Sequence, residues 1–182
     1  LALAIAIIMV FSLMAPVSAA YDTQYEEEAN ELFQLDLYRG ISKDEFEPDL
    51  ESKLNRQTAA VMILRMFGEE AIAMEMSNSE AVRTLEGEFT DADEVADWAA
   101  KQVAYCVEMG YIKGYPDKTF RPLKDLTGRE FCTLFLKMLE YEFNFEEAGE
   151  TFGEVAKLDA DETDDFGVDG AITKDIVCGI TH

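Results

Sequence analysis

The sequence predicts an all-α fold, a small bundle of helix–loop–helix units repeated with pseudo-three-fold symmetry. Three observations predict it. First, Leu37-Tyr38-Arg39-Gly40, Phe46-x-Pro48 and Leu54-Asn55-Arg56 recur as Tyr111-Ile112-Lys113-Gly114, Phe120-x-Pro122 and Leu126-Thr127-Gly128. The offset is 74 residues for the first two elements and 72 for the third, so the second copy is two residues shorter between its Pro and its Leu, a change that a surface loop tolerates. Second, apolar residues in each copy recur at three-to-four spacing, the period of one helix face. Third, Gly-containing turns and a capping box mark where those helices stop and start.

Taken in order, residues 1–20 hold no charged side chain and end in Pro16-Val17-Ser18-Ala19-Ala20, which reads as a signal-peptide core and a small-residue cleavage site. The apolar run before Pro16 is shorter than the ~20 residues that span a bilayer, so the mature chain is not expected to be transmembrane. No Met and no basic segment precede Leu1, which reads as a truncated leader. Repeat 1 covers 25–70, and its second helix, Ala59-Ala60-Val61-Met62-Ile63-Leu64, is apolar nearly all round, as a central buried helix would be. Residues 71–88, rich in Glu, Met and Ser, read as a linker with some helical content.

Repeat 2 covers 89–143. Val95, Trp98, Ala99, Val103, Cys106, Val107 and Gly110 fall on one helical face, Gly110 and Gly114 supply the stop and the turn, and Thr127-Gly-Arg-Glu130 forms a capping box before Phe131, Leu134, Phe135, Met138 and Leu139. Repeat 3, 144–182, is degenerate. A helix over 146–158 would turn Ala148, Phe152, Val155 and Ala156 inward, and Ala171-Ile172-Thr173-Lys174 echoes the earlier helix starts. The chain stops at His182 before a full second helix, which reads as truncation there too. Helix pairs of this kind need about three repeats to close a core.

Composition excludes several functions. With 38 acidic against 15 basic residues and a formal charge of −23, nucleic acid is not an expected partner, because phosphate binding needs clustered Lys and Arg. Cys106, Cys132 and Cys178 each lie in an apolar stretch with no metal-ligand spacing, so buried thiols are expected, with one disulfide open as an alternative; no metal or cofactor is expected. The carboxylates are spread without a singled-out pair, the only His is the last residue, and no nucleophile or phosphate-loop motif occurs, so the chain is read as non-enzymatic.

The ordered set Phe89-Thr-Asp91, Trp98-Ala99, Gly110-Tyr-Ile112-Lys-Gly114-Tyr115-Pro-Asp117-Lys-Thr119-Phe120-Arg-Pro122 and Leu126-Thr127-Gly128-Arg129-Glu130-Phe131 closely resembles an S-layer homology repeat. The first copy resembles one more loosely, and the third only at its helix start. The resemblance implies three repeats round an axis, secreted and held at the cell wall, that bind negatively charged secondary cell-wall polysaccharide in grooves between repeats, with S-layer proteins as further neighbours. It also implies that an Arg in a Thr-Arg-Ala-Glu element touches the glycan, with an aromatic residue of the first helix and backbone near the Gly-Tyr turn. Carried over, the Arg position is Arg56, Gly128 (with Arg129 displaced by one) and Lys174, and the other positions are Trp98, Gly114, Tyr115 and Asp117. Chemically, Arg offers a planar fork suited to carboxylates and Trp a flat platform for a sugar ring. Trp98 reads equally as core filling, and Asp117 as a turn former.

Two rival readings carry other functions. The chain is the anchor of a larger surface enzyme or S-layer protein whose cargo lies beyond His182, or it is an acidic calcium-binding surface protein. The second is prompted by Asp159-Ala-Asp161-Glu-Thr-Asp164-Asp165-Phe-Gly167-Val-Asp169, but an EF-hand loop starting at Asp159 would place Asp164 where Gly is required and Gly170 where Glu is required.

Overall fold

The computed structural model describes residues 23–42, 44–156 and 170–181. The leader at 1–20 and the acidic stretch 159–169 lie outside them. Eight α-helices are described: α1 Glu26–Gln34, α2 Arg56–Met66, α3 Glu70–Glu75, α4 Asn78–Glu88, α5 Ala100–Glu108, α6 Gly128–Met138, α7 Ala148–Ala156 and α8 Lys174–Thr181. Short 3-10 turns at Ala92–Glu94 and Phe145–Glu147 lead into α5 and α7. Among the described residues there is no strand, and the fold is all-α.

The helix starts follow from their caps. Asn55 accepts the amide of Thr58 at the head of α2. Thr127 and Glu130 form the expected capping box on α6, each side chain satisfying the other's amide. A second box, Ser77 with Glu80, opens α4. Residues 71–88 are therefore two regular helices, and α4 adds Ala81 and Leu85 to the core. Helix α2 is the central element: Ala59 to Leu64 are all buried.

Packing between helices runs round the molecule. Helix α2 packs on α5, α6 on α7, and α8 returns to α1. The segments before α2, α6 and α8 meet in a closed cycle of backbone hydrogen bonds. Leu54 N donates to Ile172 O at 2.9 Å, Ile172 N to Leu126 O at 2.9 Å, and Leu126 N to Leu54 O at 2.7 Å. Two residues further along, the first amides of the three helices close a second cycle that runs in the opposite sense: Arg56 N donates to Lys124 O, Gly128 N to Gly170 O and Lys174 N to Ser52 O. Amides that a helix N-terminus leaves unpaired are thus satisfied by the neighbouring segment instead of water. Leu54, Leu126 and Ile172 themselves are buried in the core.

Two elements differ from their sequence reading. Helix α5 begins at Ala100, so Val95 and Trp98 precede it; Val95 still packs inward, whereas Trp98 is 56% exposed. The helical spacing of these residues is matched by a turn, in which Ala99 N bonds Ala96 O. In α7, Ala148 and Phe152 are buried against Cys132 and Leu136, but Ala156 is exposed at the helix end. The Cys106, Cys132 and Cys178 thiols are buried, and burial pushes each up to about 12.

Candidate functional site

Arg56 is the first residue of α2, and the backbone docking described above presses it against the loop that precedes α6. That loop is built by local chemistry. Gly114 adopts φ +66°, and a Cβ there would lie 2.5 Å from the Phe89 ring and 2.8 Å from Thr119 O, so the turn requires glycine. Tyr115 N donates to Thr119 O, and both oxygens of Asp91 accept backbone amides, from Phe120 at 2.7 Å and Arg121 at 2.8 Å. Asp117 closes the turn by accepting from Thr119 and Arg121, whose bonds hold its carboxyl down at about 2. Asp117 is therefore a turn former and is not among the residues that line the cleft.

The loop, α2 and α6 enclose a cleft of about 320 Å³ whose walls include Arg56, Lys113, Tyr115, Glu130, Lys137 and Phe145. Arg56 donates through Nε to Phe120 O at 2.8 Å and through Nη1 to Glu130 at 3.3 Å, and its guanidinium lies 4.7 Å over the Tyr115 ring. Tyr115 donates its hydroxyl to Glu130 at 2.8 Å and accepts from Lys124 Nζ at 2.8 Å. The Arg121 guanidinium also lies over the Tyr115 ring, 4.2 Å from its centre. Burial works against the charge of Glu130, but the Thr127 amide, the Tyr115 hydroxyl and the Arg56 and Lys124 charges hold its carboxyl below the usual range.

Two cations of the cleft have no such partner. Among the described residues no carboxylate pairs with Lys113 or Lys137; Lys137 donates to Tyr111 O at 3.1 Å. Burial, with the repulsion of Lys113 and Arg56, pulls the Lys137 ammonium below the usual lysine range. A chain of charge −23 thus carries here a cleft lined by three cations, the partly buried Arg56 and Lys137 and the exposed Lys113, against the one carboxylate of Glu130.

The other residues singled out from sequence lie elsewhere. Lys174 and Trp98 come together in a second groove, of about 450 Å³, with Tyr38, Gly40, Ile41 and Arg65. There Lys174 pairs with Asp49. Gly128 is buried as the first residue of α6, and Arg129 turns away to Glu146 and the Phe145 ring. Sequence reasoning found Arg56, Gly114 and Tyr115 but passed over Lys113, Glu130, Lys137 and Phe145. A signal was available for two of them: Lys137 stands seven residues after Glu130 on the same helix face, and Lys113 lies inside the repeated turn, opposite Arg39 of the first copy. Among the described residues no cluster of His, Cys, Asp and Glu could hold a metal, and no helix is long and apolar enough to cross a membrane.

Comparison with known proteins places this geometry. Residues 88–132, which supply the Gly114–Tyr115 loop and the start of α6, match the family model of the S-layer homology domain. A "Cellulosome-anchoring protein" of Acetivibrio thermocellus is 32% identical over 90 residues, 50% of this chain and 18% of that protein. "Cell surface glycoprotein 1" of the same organism is 31% identical over 103 residues, 56% of this chain and 4% of that protein. The chain spans less than a fifth of the length of either relative. No solved structure matches it.

Proposed function

We propose that this chain is a non-catalytic module that fixes a protein to the bacterial cell surface by holding an anionic wall polysaccharide in the Arg56 cleft. The observation that carries the reading is the pair of uncompensated ammonium groups, Lys113 and Lys137, beside Arg56 and Tyr115. A polyanion cannot be drawn to a molecule of charge −23 by net electrostatics, so recognition has to be local. The partly buried Arg56 and Lys137, joined by the exposed Lys113, provide that, because charges lining a cleft are less screened than charges on an open surface and their hydrogen bonds to carboxylates are charge-assisted. Tyr115 and Phe145 add apolar surface for a pyranose ring.

The match to the S-layer homology domain, the anchoring role in one relative's name and the cell-surface location in the other's support the same reading. The closed ring of hydrogen bonds through Leu54, Leu126 and Ile172 supports three repeats round an axis, which would set Arg56, Gly128 and Lys174 at equivalent stations. On this reading the leader at 1–20 exports the chain to the wall.

Co-sedimentation with sacculi tests it. The chain should pellet with intact sacculi and stay in solution once the non-peptidoglycan polymer has been stripped off. Equal binding to stripped sacculi would make peptidoglycan the target and overturn the assignment.

A further inference from the structure

In the second helix of each unit, α2, α6 and α8, the second residue reaches out of its own unit. These residues, Gln57, Arg129 and Asp175, stand one position past the amides of Arg56, Gly128 and Lys174 that close the second backbone cycle. Gln57 Oε1 accepts the amide of Ala96 at 3.0 Å, in the turn that enters α5. Arg129 donates to the backbone oxygen of Glu146, and to its carboxylate at 3.2 Å, in the 3-10 turn that enters α7. Asp175 accepts the amides of Gln24 at 2.9 Å and Tyr25 at 3.0 Å, immediately before α1. Three different side chains thus grip backbone at the same place, the approach to the first helix of the next unit. Beside each grip stands an aromatic residue: Trp98, Phe145 and Tyr25. The Arg129 guanidinium lies 5.9 Å from the centre of the Phe145 ring. The Tyr25 ring lies against Gly179, one turn along α8 from Asp175, where a Cβ would be 2.5 Å from it.

We propose that Gln57, Arg129 and Asp175 are positioning residues that join successive units: each fixes the entrance to the next unit's first helix and, with it, the aromatic residue beside that entrance. This role is independent of what the Arg56 cleft binds. The packing of α5 on α2, α7 on α6 and α1 on α8 is largely apolar and therefore non-directional, so by itself it leaves the first helices free to slide. A hydrogen bond from the first turn of a packed helix removes that freedom, because its distance and angle are narrowly set. Backbone groups are offered by every sequence, so the grip persists although the gripped residues are Ala, Glu, Gln and Tyr. Gln57 shows the demand most clearly. It is only 4% exposed, and a buried amide is costly unless it is hydrogen-bonded. The Phe145 turn depends least on its grip, because the Asn144 side chain also accepts the Glu146 amide, at 3.2 Å.

Trp98 is the only tryptophan in the chain, so its fluorescence reports the Gln57 grip. In the full chain, Gln57→Leu keeps the size of the side chain and removes the acceptor. Trp98 should then show lower anisotropy and stronger acrylamide quenching than in wild type, at a temperature where circular dichroism finds both proteins folded. Gln57→Glu, whose carboxyl oxygen accepts the same amide, should restore both readings. Leu136→Ala, in the core between α6 and α7, should lower the melting temperature and leave both readings as in wild type. Hydrogen exchange followed by mass spectrometry reads the grip at α1: Asp175→Ala should speed exchange over 24–34 about tenfold and leave α6 unchanged. That measurement decides the matter if Gln57→Leu does not fold. Wild-type anisotropy in Gln57→Leu, no recovery in Gln57→Glu, Trp98 mobilised as strongly by Leu136→Ala, or unchanged exchange over 24–34 in Asp175→Ala would overturn the proposal.

Discussion

At the level of single residues, the difference between the two grooves rests on who holds each cation. Arg39 and Arg65 are basic residues of the first unit whose charges are spent on Asp36 and Glu70, whereas Lys113 and Lys137 keep theirs. Arg56→Ala removes a bidentate-capable fork from the cleft and should weaken polymer binding about ten- to a hundredfold, the worth of a charge-assisted contact. Arg129→Ala should change it by less than about threefold, because that side chain is bonded to Glu146. Isothermal titration with polymer released from sacculi measures both.

Glu130 ties Arg56, Tyr115 and the α6 cap together, so it carries a pH signature. Its carboxyl titrates below the usual range in the folded chain, which means its stabilisation is complete above the unfolded value near 4.3 and is lost as pH falls through the folded value. Glu130→Gln should therefore be less stable than wild type by about 1–3 kcal/mol at pH 7, with the gap closing below about pH 4 in denaturant titrations. Motif order made Arg56, Gly114 and Tyr115 legible in the sequence. The exposure of Trp98 was not, because its spacing from Val95 and Cys106 mimics a helix face that the chain breaks with a turn before Ala100.

Among the elements, the Gly114 loop is the most sharply specified. Gly114→Ala adds a left-handed strain of about 1–2 kcal/mol to a clash with Phe89 and Thr119, and should destabilise by more than about 2 kcal/mol. Gly110→Ala shares the positive φ, +77°, but meets no atom within 4 Å, so it should cost only the strain. Gly87→Ala, inside α4 with open space around it, should stabilise by about 0.5–1 kcal/mol. Thermal melts of the three variants rank them, and Gly114→Ala melting no lower than Gly110→Ala would contradict the account of the loop. Helix α4 was written in the sequence as Ser77-x-x-Glu80 followed by Ala81 and Leu85, a capping box and an apolar pair one turn apart. Its polar composition hid it, although a two-residue apolar stripe suffices when a neighbouring helix such as α5 covers it.

Over the whole molecule, α8 closes the circle by packing on α1 and by supplying Ile172 to the backbone ring. Helix α2 would then be held from both sides, and the full chain should unfold in one transition. Leu54→Ala, at a fully buried ring position, should cost about 2–5 kcal/mol. The self-similarity of the sequence made this architecture legible in outline, since three helix starts of the same pattern imply units that bury their faces on one another. What the repeat could not convey is how the charges pair, because Asp36, Asp49 and Glu70 lie outside the matching motifs: Asp36 and Glu70 hold Arg39 and Arg65 within the first unit, and Asp49 reaches Lys174 of another unit only through the fold.

The most direct test of the central claim is the affinity of the acidic polymer released from sacculi for wild type and for Lys113→Gln with Lys137→Gln, measured by titration calorimetry at two salt concentrations. The double variant removes no ion pair and should fold as wild type does. It should bind at least about tenfold more weakly, with a shallower salt dependence, while Arg39→Gln binds like wild type. Undiminished affinity in the double variant, or a dominant loss in Arg39→Gln, would contradict the assignment of the Arg56 cleft as the anion site.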